Sequence, residues 1–510
     1  MQEDKMKPEP VETIVSRAAS TIDSLESATK PYSIFSTGQK KLIVLSVALT
    51  AFISTVSAQI YLPAMSPMAR DLDVSDESIT LTITTYMIFQ ALAPTFITSL
   101  ADTGGRRPAY LFCFVIYIAS SVGLALVPNF TGALVLRSFQ SIGSSSTTVL
   151  CNAVIADIIT SAERGQYFAY TLIPQALAPS IGPLLGGVLA QYLGWRSVFW
   201  FLTIYASVMS IIILSSYPET CRELVGDGSI LPPKPYWTLR QYLKHRSKGN
   251  KTPATNQTDK TITEKHTSLG RRCCRQVFAV FHLFFKKQPA MLLWSNGLSY
   301  LSFYCVPAAM PFLLRDTYGF SETQVGLMFL PLAGGVLLIA LLSGKVFSWN
   351  YKRHCQRLDI PFERSKQFDS YRFPIERARL EVGLPLVLVA GVCTMGWGWA
   401  MHLSSHIAVI AILNFLVGAG MAGSNSCINM VLIDTNPGKS GTAMAASNIS
   451  KCLIGAGATA AILPLINAIG AGPAFAIVGC AYLLCFIPLL VIALKGLKWR
   501  QAELEGEEQT

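Results

Sequence analysis

Twelve times along this chain a run of roughly twenty residues passes almost without a charge, a pattern that few folds can accept. A bilayer's hydrocarbon core is about 30 Å thick and a helix rises about 1.5 Å per residue, so about twenty apolar residues make one crossing. The windows fall near 42–62, 79–100, 109–128, 132–156, 167–192, 197–217, 291–314, 324–349, 383–403, 406–433, 441–468 and 473–495. Soluble domains carry about 25% charged residues, whereas only 14% of these 510 residues are charged and the mean hydropathy is +0.42. These numbers exclude a disordered, collagenous or disulfide-framework chain and predict an all-α membrane protein with 12 transmembrane helices. The first forty residues are polar and lack the apolar stretch of a secretory leader, so the first window is expected to serve as the insertion signal.

In a soluble protein a net charge of +11 would suggest a nucleic-acid partner. Its distribution says otherwise, because positively charged loops stay on the cytoplasmic side. With the N-terminus inside, the inside segments hold 36 of the 41 Lys and Arg residues; the outside loops hold only Arg70, Arg196 and Arg315, and Arg137 and Lys451 lie within windows. Both termini are therefore expected to be cytoplasmic, with no nucleic acid bound. The predicted organisation is a tail (1–41), a six-helix half (42–217), a basic linker (218–290), a second six-helix half (291–495) and a second tail (496–510). A further basic loop covers 350–381, and every outside loop is short, so function is expected within the membrane.

The two halves share a weak repeat. Aligned without a gap, 136–157 and 413–434 match at Leu136/Leu413, Gly143/Gly420, Asn152/Asn429, Val154/Val431 and Asp157/Asp434. The paired Asn and Asp, five apart and ending a span on the same side, point to duplicated six-helix halves, a common transporter design.

Between the second and third windows lies LADTGGRRP (100–108), in which Gly104 and Gly105 permit a tight turn between Asp102 and the Arg106–Arg107 pair. It resembles the signature loop of the major facilitator superfamily, G-x-L-A-D-R-x-G-R-[RK], with Thr98 and Thr103 departing from it. Arg137, Gln140 and Gly143 fit that family's R-x-x-Q-G-x-G pattern, with Ser141 at its first Gly. In the fifth window APSIGPLLGG (178–187) resembles the antiporter motif G-x-x-x-G-P-x-x-G-G, with Gly182, Pro183, Gly186 and Gly187 in place. A finer resemblance, to the fungal twelve-span drug:proton antiporters, rests on YPETCRE (217–223), on Asp157, Glu163, Arg164 and Gly165, and on ASNISKC (446–452). That group includes multidrug pumps and exporters of organic acids such as citrate. The resemblance implies the major facilitator fold, with two pseudo-symmetric halves rocking about a cavity between spans one, four, seven and ten. It also implies a latch on the cytoplasmic side formed by Asp102, Gly105, Arg106, Arg107, Asp157, Glu163 and Arg164, and export, since the fifth-window motif is typical of exporters.

Charges at bilayer depth are expensive and mark function. Lys451 lies near the midplane and Arg137 nearer the outside, while no Asp or Glu falls well inside a window. A proton-coupled pump commonly uses a buried carboxylate, so three routes stay open for protons: Lys451, Asp102 or Asp157 at the gate, or the cargo itself. Two cations and no anion favour acidic or amphiphilic cargo. Arg137 with Gln140 has a second reading, as a structural group bonded to the first span's backbone. Asn296, Tyr300 and Tyr304 recur every four residues on one helix face, which suits either packing or an amphiphilic ligand. Polar runs at 144–148 and 424–429, with Asn425 and Asn429, read as helix contacts or cavity lining, and Asn448 joins Lys451; Gln59, Tyr61 and Tyr86 are further candidates.

The 12 cysteines form no framework; Cys273 and Cys274 adjoin an amphipathic stretch at 276–287 and are either palmitoylated or plain thiols. With no nucleotide loop, metal spacing or catalytic triad, the chain is expected to be neither an enzyme nor a cofactor protein. The expectation is a monomeric plasma-membrane exporter that exchanges protons for a small organic acid or amphiphilic drug. The rivals are a di/tricarboxylate exporter uncoupled from protons and a transport-derived sensor signalling through its cytoplasmic loops.

Overall fold

In lipid every backbone N–H and C=O must find its partner within its own segment, and an α-helix is the local way to do so. The computed structural model describes residues 33–159, 161–226, 236–237, 278, 280–357, 374–436 and 440–508, and among them the regular structure is helical throughout. Ten stretches are long and apolar enough to cross a bilayer: Thr37–Asp71, Asp76–Asp102, Arg106–Leu126, Arg196–Ser215, Lys287–Tyr318, Glu322–Arg357, Ile375–His402, Ile407–Asp434, Gly441–Ile469 and Ala471–Gln501. Helices Phe130–Ile158 and Ser161–Leu193 occupy the fourth and fifth windows. The fourth falls short of the others in apolarity because it carries Arg137, Gln140 and a run of hydroxyls, most of them buried against neighbouring helices. In the fifth, the described apolar part is Leu177–Leu193, since most side chains before it lie outside the described residues.

Several helices run beyond their windows: the second to Gly104, the eighth to Arg357, and the ninth from Ile375. Backbone hydrogen bonding continues past the hydrocarbon edge, which hydropathy cannot register. Two spans are interrupted. The first turns at Leu62–Ala64, where Pro63 opens a 3-10 turn before Met65–Asp71. The seventh divides at Tyr300 into Lys287–Ser299 and Leu301–Tyr318, the latter holding Pro307 and Pro311.

The repeat has a structural counterpart. A Cβ on Gly143 would sit 2.6 Å from the Cys113 carbonyl oxygen, and one on Gly420 would sit 2.8 Å from that of Leu386. The fourth span thus presses backbone to backbone on the third, and the tenth on the ninth, at matched glycines. The matched aspartates also pair alike, Asp157 with Arg106 (2.9 Å) and Asp434 with Arg379 (3.3 Å).

Across the interface between halves, the second span packs on the eleventh and the fifth on the eighth. The described polar ties there lie at the bundle's middle or at the face opposite the chain termini: Arg315 to Asp76 at 2.7 Å, Arg70 to Glu322 at 3.9 Å, Asn467 to Glu77 at 2.6 Å, Thr84 to Thr459 at 3.2 Å and Asn448 to the Gln90 carbonyl at 3.1 Å. On the terminal face, each described ion pair stays within one half. Among the described residues, the polar ties between the halves thus gather at the middle and at the face opposite the termini.

Candidate functional site

Where the halves meet, Gln59, Tyr86, Gln90 and Arg137 from the first face Phe303, Tyr304 and Pro307 from the second around a cavity of about 30 Å³, room for only about two waters. Arg137, 1% exposed, is clasped between two aromatic faces, with its Cζ 4.2 Å from the Tyr61 ring centroid and 4.5 Å from that of Tyr86. Its Nη1 donates to Gln140 Oε1 (2.5 Å), and Gln140 Nε2 donates to Ser121 (2.9 Å). The phenols are pinned in turn, Tyr61 to Thr82 (2.6 Å) and Tyr86 to Ser144 (2.7 Å). Among the described residues Arg137 Nε has no partner and no carboxylate pairs with this guanidinium. A buried charge without a counter-ion costs several kcal/mol, and two π-faces return only about 1–2 kcal/mol each. The cavity wall is thus left strongly positive. Of the two sequence readings of Arg137, its bond to the side chain of Gln140 and its place in the cavity wall differ from a tie to the first span's backbone.

Lys451 does not border this cavity. It is half-buried one span away, with Nζ 5.4 Å from the Tyr300 ring centroid, and no ion pair joins it among the described residues. The interruption at Tyr300 separates the seventh-span trio. Tyr304 reaches the cavity, and Tyr300 stacks toward it at 5.8 Å and toward Lys451. Asn296, fully buried, instead donates to Ser447 and to Asn429 Oδ1 (3.3 Å), while Asn429 donates to Asn425 (2.9 Å). These asparagines cross-link spans seven, ten and eleven. Three rings, Tyr86, Tyr304 and Tyr300, stand between the two cations Arg137 and Lys451, a polar and aromatic path that runs from the cavity toward the terminal face.

At that face the loop residues meet as a cluster. Arg106 bonds Asp102 and, through Nε, Asp157 (2.9 Å). Arg107 reaches the carbonyls of Leu214 (2.7 Å) and Trp237 (2.8 Å). Gly105 has φ +93°, and a Cβ there would lie 2.7 Å from Glu219 Oε2, so glycine is required twice over. The pattern reading missed Glu219 as a site residue. It is 3% exposed and accepts from the backbone N–H groups of Arg106 (2.9 Å), Arg107 (3.2 Å), Thr220 (2.9 Å) and Cys221 (3.0 Å). It supplies negative charge where the third span's N-terminus is most positive. Burial, with that carboxylate beside it, pushes the Tyr236 phenol up from its ordinary pKa. The signal was present in YPETCRE, which could be read as a motif but not as a partner 113 residues from Arg106. The side chains of Glu163 and Arg164, and the cysteines Cys273 and Cys274, lie outside the described residues.

The fifth-span glycines are places of contact. A Cβ on Gly182 would sit 3.3 Å from the Ile60 amide nitrogen, one on Gly186 would overlap the Ile60 carbonyl, and one on Gly187 would overlap that of Glu322. Gly326 of the eighth span approaches Pro183 in return, its Cβ position 2.6 Å from the Pro183 carbonyl oxygen. The motif therefore seals the fifth span against the first span's turn and the start of the eighth, on the closed side.

The sequence pattern described as Major Facilitator Superfamily matches residues 47–460. The MFS-type transporter phiD of Fungal sp. (strain ATCC 74256) is 38% identical over 478 residues, covering 94% of this chain and 72% of that protein. Citrate exporter 1 of Aspergillus niger is 31% identical over 492 residues, covering 95% and 91%. Among solved structures, a POT family transporter in complex with a thioalcohol-conjugated peptide superposes with a TM-score of 0.62 at 13% identity, covering 89% of this chain and 96% of that one. That last likeness concerns the fold alone.

Proposed function

This chain belongs to the major facilitator superfamily, a multi-pass membrane transporter rather than an enzyme, and on that premise we propose that it exports a small organic acid or acidic amphiphile from the cell by alternating access. The observation that carries the reading is Arg137, a buried guanidinium in the cavity wall with no carboxylate beside it among the described residues. Such a site favours an anion that brings the missing counter-charge, and opposes a permanent cation. Tyr86 and Tyr304 offer apolar faces to the cargo's body.

With the terminal face taken as cytoplasmic, as the Lys and Arg distribution supports, the described arrangement is closed to the outside. The cavity is too small for an organic acid as it stands, so loading requires the halves to part at the terminal face, where no described ion pair joins them. The proposal includes two six-helix units joined by the segment 218–290, a monomer, and a plasma-membrane location. The fifth-span motif, by its resemblance, supports exchange with protons.

A second reading, a di- or tricarboxylate exporter without proton coupling, is favoured by the likeness to Citrate exporter 1 and by the position of all described carboxylates at or near helix ends. Efflux of labelled carboxylates from cells, with and without a collapsed pH gradient, separates the two. Proton antiport predicts that collapse stops net efflux; unchanged efflux rejects antiport and leaves the uncoupled exporter.

A further inference from the structure

The amphipathic stretch ahead of the seventh span plays no part in the cargo path. One side is built into the second half: Val280 and Leu283, 3% and 5% exposed, join a core with Leu292, Leu489 and Ile492. The other side carries Phe278, Phe281 and Phe285, which are 75%, 44% and 85% exposed. Phe278 and Phe281 are helical and Phe285 stands in the turn that follows, and their exposure sets all three away from the Val280 and Leu283 core. Three phenyl rings in water would waste apolar surface; where helices leave the hydrocarbon, they meet lipid instead.

Lysines accompany this stretch. Lys287 Nζ lies 4.4 Å from the ring centroid of Trp499 in the twelfth span, which fixes the stretch beside that helix. Lys495, exposed, lies one turn before Trp499 on the same side of the helix, and Lys498, also exposed, is its chain neighbour about 100° round the helix. None of Lys287, Lys495 and Lys498 forms an ion pair among the described residues. Basic residues near any inner span end are ordinary. Here the Lys287–Trp499 contact joins two elements and sets Lys287 beside the helix side that carries Lys495, with Phe285 two residues before Lys287.

We propose that this patch binds an acidic phospholipid of the leaflet at the terminal face, with its phosphate among Lys287, Lys495 and Lys498 and its acyl chains along Phe278, Phe281 and Phe285. A zwitterionic lipid would bring its own cation to the same ammonium groups and be disfavoured, so the patch selects for net negative charge. The bound lipid grips the second half at the entrance to the seventh span, the helix that carries Asn296, Tyr300 and Tyr304. The site does not depend on the cargo or on proton coupling.

The test places the full chain in nanodiscs with bromine-labelled phosphatidylserine or bromine-labelled phosphatidylcholine. Quenching of Trp499 is read as the difference between the wild type and Trp499→Phe. Bromo-phosphatidylserine is expected to quench at a mole fraction many-fold lower than bromo-phosphatidylcholine. Each ammonium contributes about fivefold, so Lys287→Gln/Lys495→Gln/Lys498→Gln removes about a hundredfold of preference, while Lys40→Gln/Lys41→Gln at the first span's end leaves it intact. Equal quenching by the two lipids in the wild type overturns the proposal, as does equal loss in the Lys40/Lys41 variant. Should the triple variant fail to fold, the wild-type comparison alone decides.

Discussion

Replacing Glu219 by Gln removes one charge from a buried site without changing its shape, and the consequence can be worked out bond by bond. Oε1 accepts from the amides of Arg106, Thr220 and Cys221, and Oε2 from that of Arg107. In the variant the amide oxygen can keep the first three, but its NH₂ then faces the Arg107 N–H, donor against donor. One charge-assisted bond is lost, about 1.5–3 kcal/mol, together with part of the favourable interaction at the third span's N-terminus, up to about 2 kcal/mol in a buried geometry. The sum is about 2–4 kcal/mol, and at about 2 °C per kcal/mol for a large domain the thermal midpoint of the purified protein should fall by about 4–8 °C. Intrinsic tryptophan fluorescence during a temperature ramp reads this directly. Glu219→Ala, which leaves four donors without an acceptor, should fall further. A Glu219→Gln midpoint within about 1 °C of wild type would refute the view that this carboxylate clamps the terminal ends of spans three and six.

Lys451→Met should abolish transport of acidic cargo while the midpoint holds, since a half-buried ammonium with no described ion pair is removed; vesicle flux paired with a thermal scan checks both. Asp76→Asn breaks an inter-half pair whose partners are 27% and 34% exposed. A pair of that kind is worth about 0–1 kcal/mol, so labelling from the outer face of Ile83→Cys should quicken by at most about fivefold, and Asp71→Asn, whose Arg196 partner lies in the same half, should leave it unchanged. Gly105→Ala places a Cβ at φ +93° and against Glu219, costing about 1–3 kcal/mol from backbone strain alone; its midpoint should drop at least as far as that of Glu219→Gln.

Length and hydropathy disclosed the bundle because the bilayer imposes a period no soluble fold shares, and the matched Gly143/Gly420 and Asp157/Asp434 pairs carried its symmetry. The polarity of the fourth span was legible as residues, but not as an environment: that Tyr61 and Tyr86 would close on Arg137 depends on the first span's turn at Pro63 and on the second span's rotation. Helical spacing placed Asn296, Tyr300 and Tyr304 on one face. The break at Tyr300, with no glycine or proline at that position, turned Asn296 into a cross-link instead. Glu219 escaped because a capping carboxylate supplied from a distant loop has no local pattern.

Anion recognition at Arg137 is tested most directly by proteoliposome uptake of a labelled carboxylate beside its neutral methyl ester, in wild type and in Arg137→Gln. The prediction is that wild type carries the acid at least tenfold faster than the ester and that Arg137→Gln loses the acid flux while keeping its thermal midpoint. Equal acid flux in the two proteins, or a permanent cation carried as fast as the acid, would contradict it.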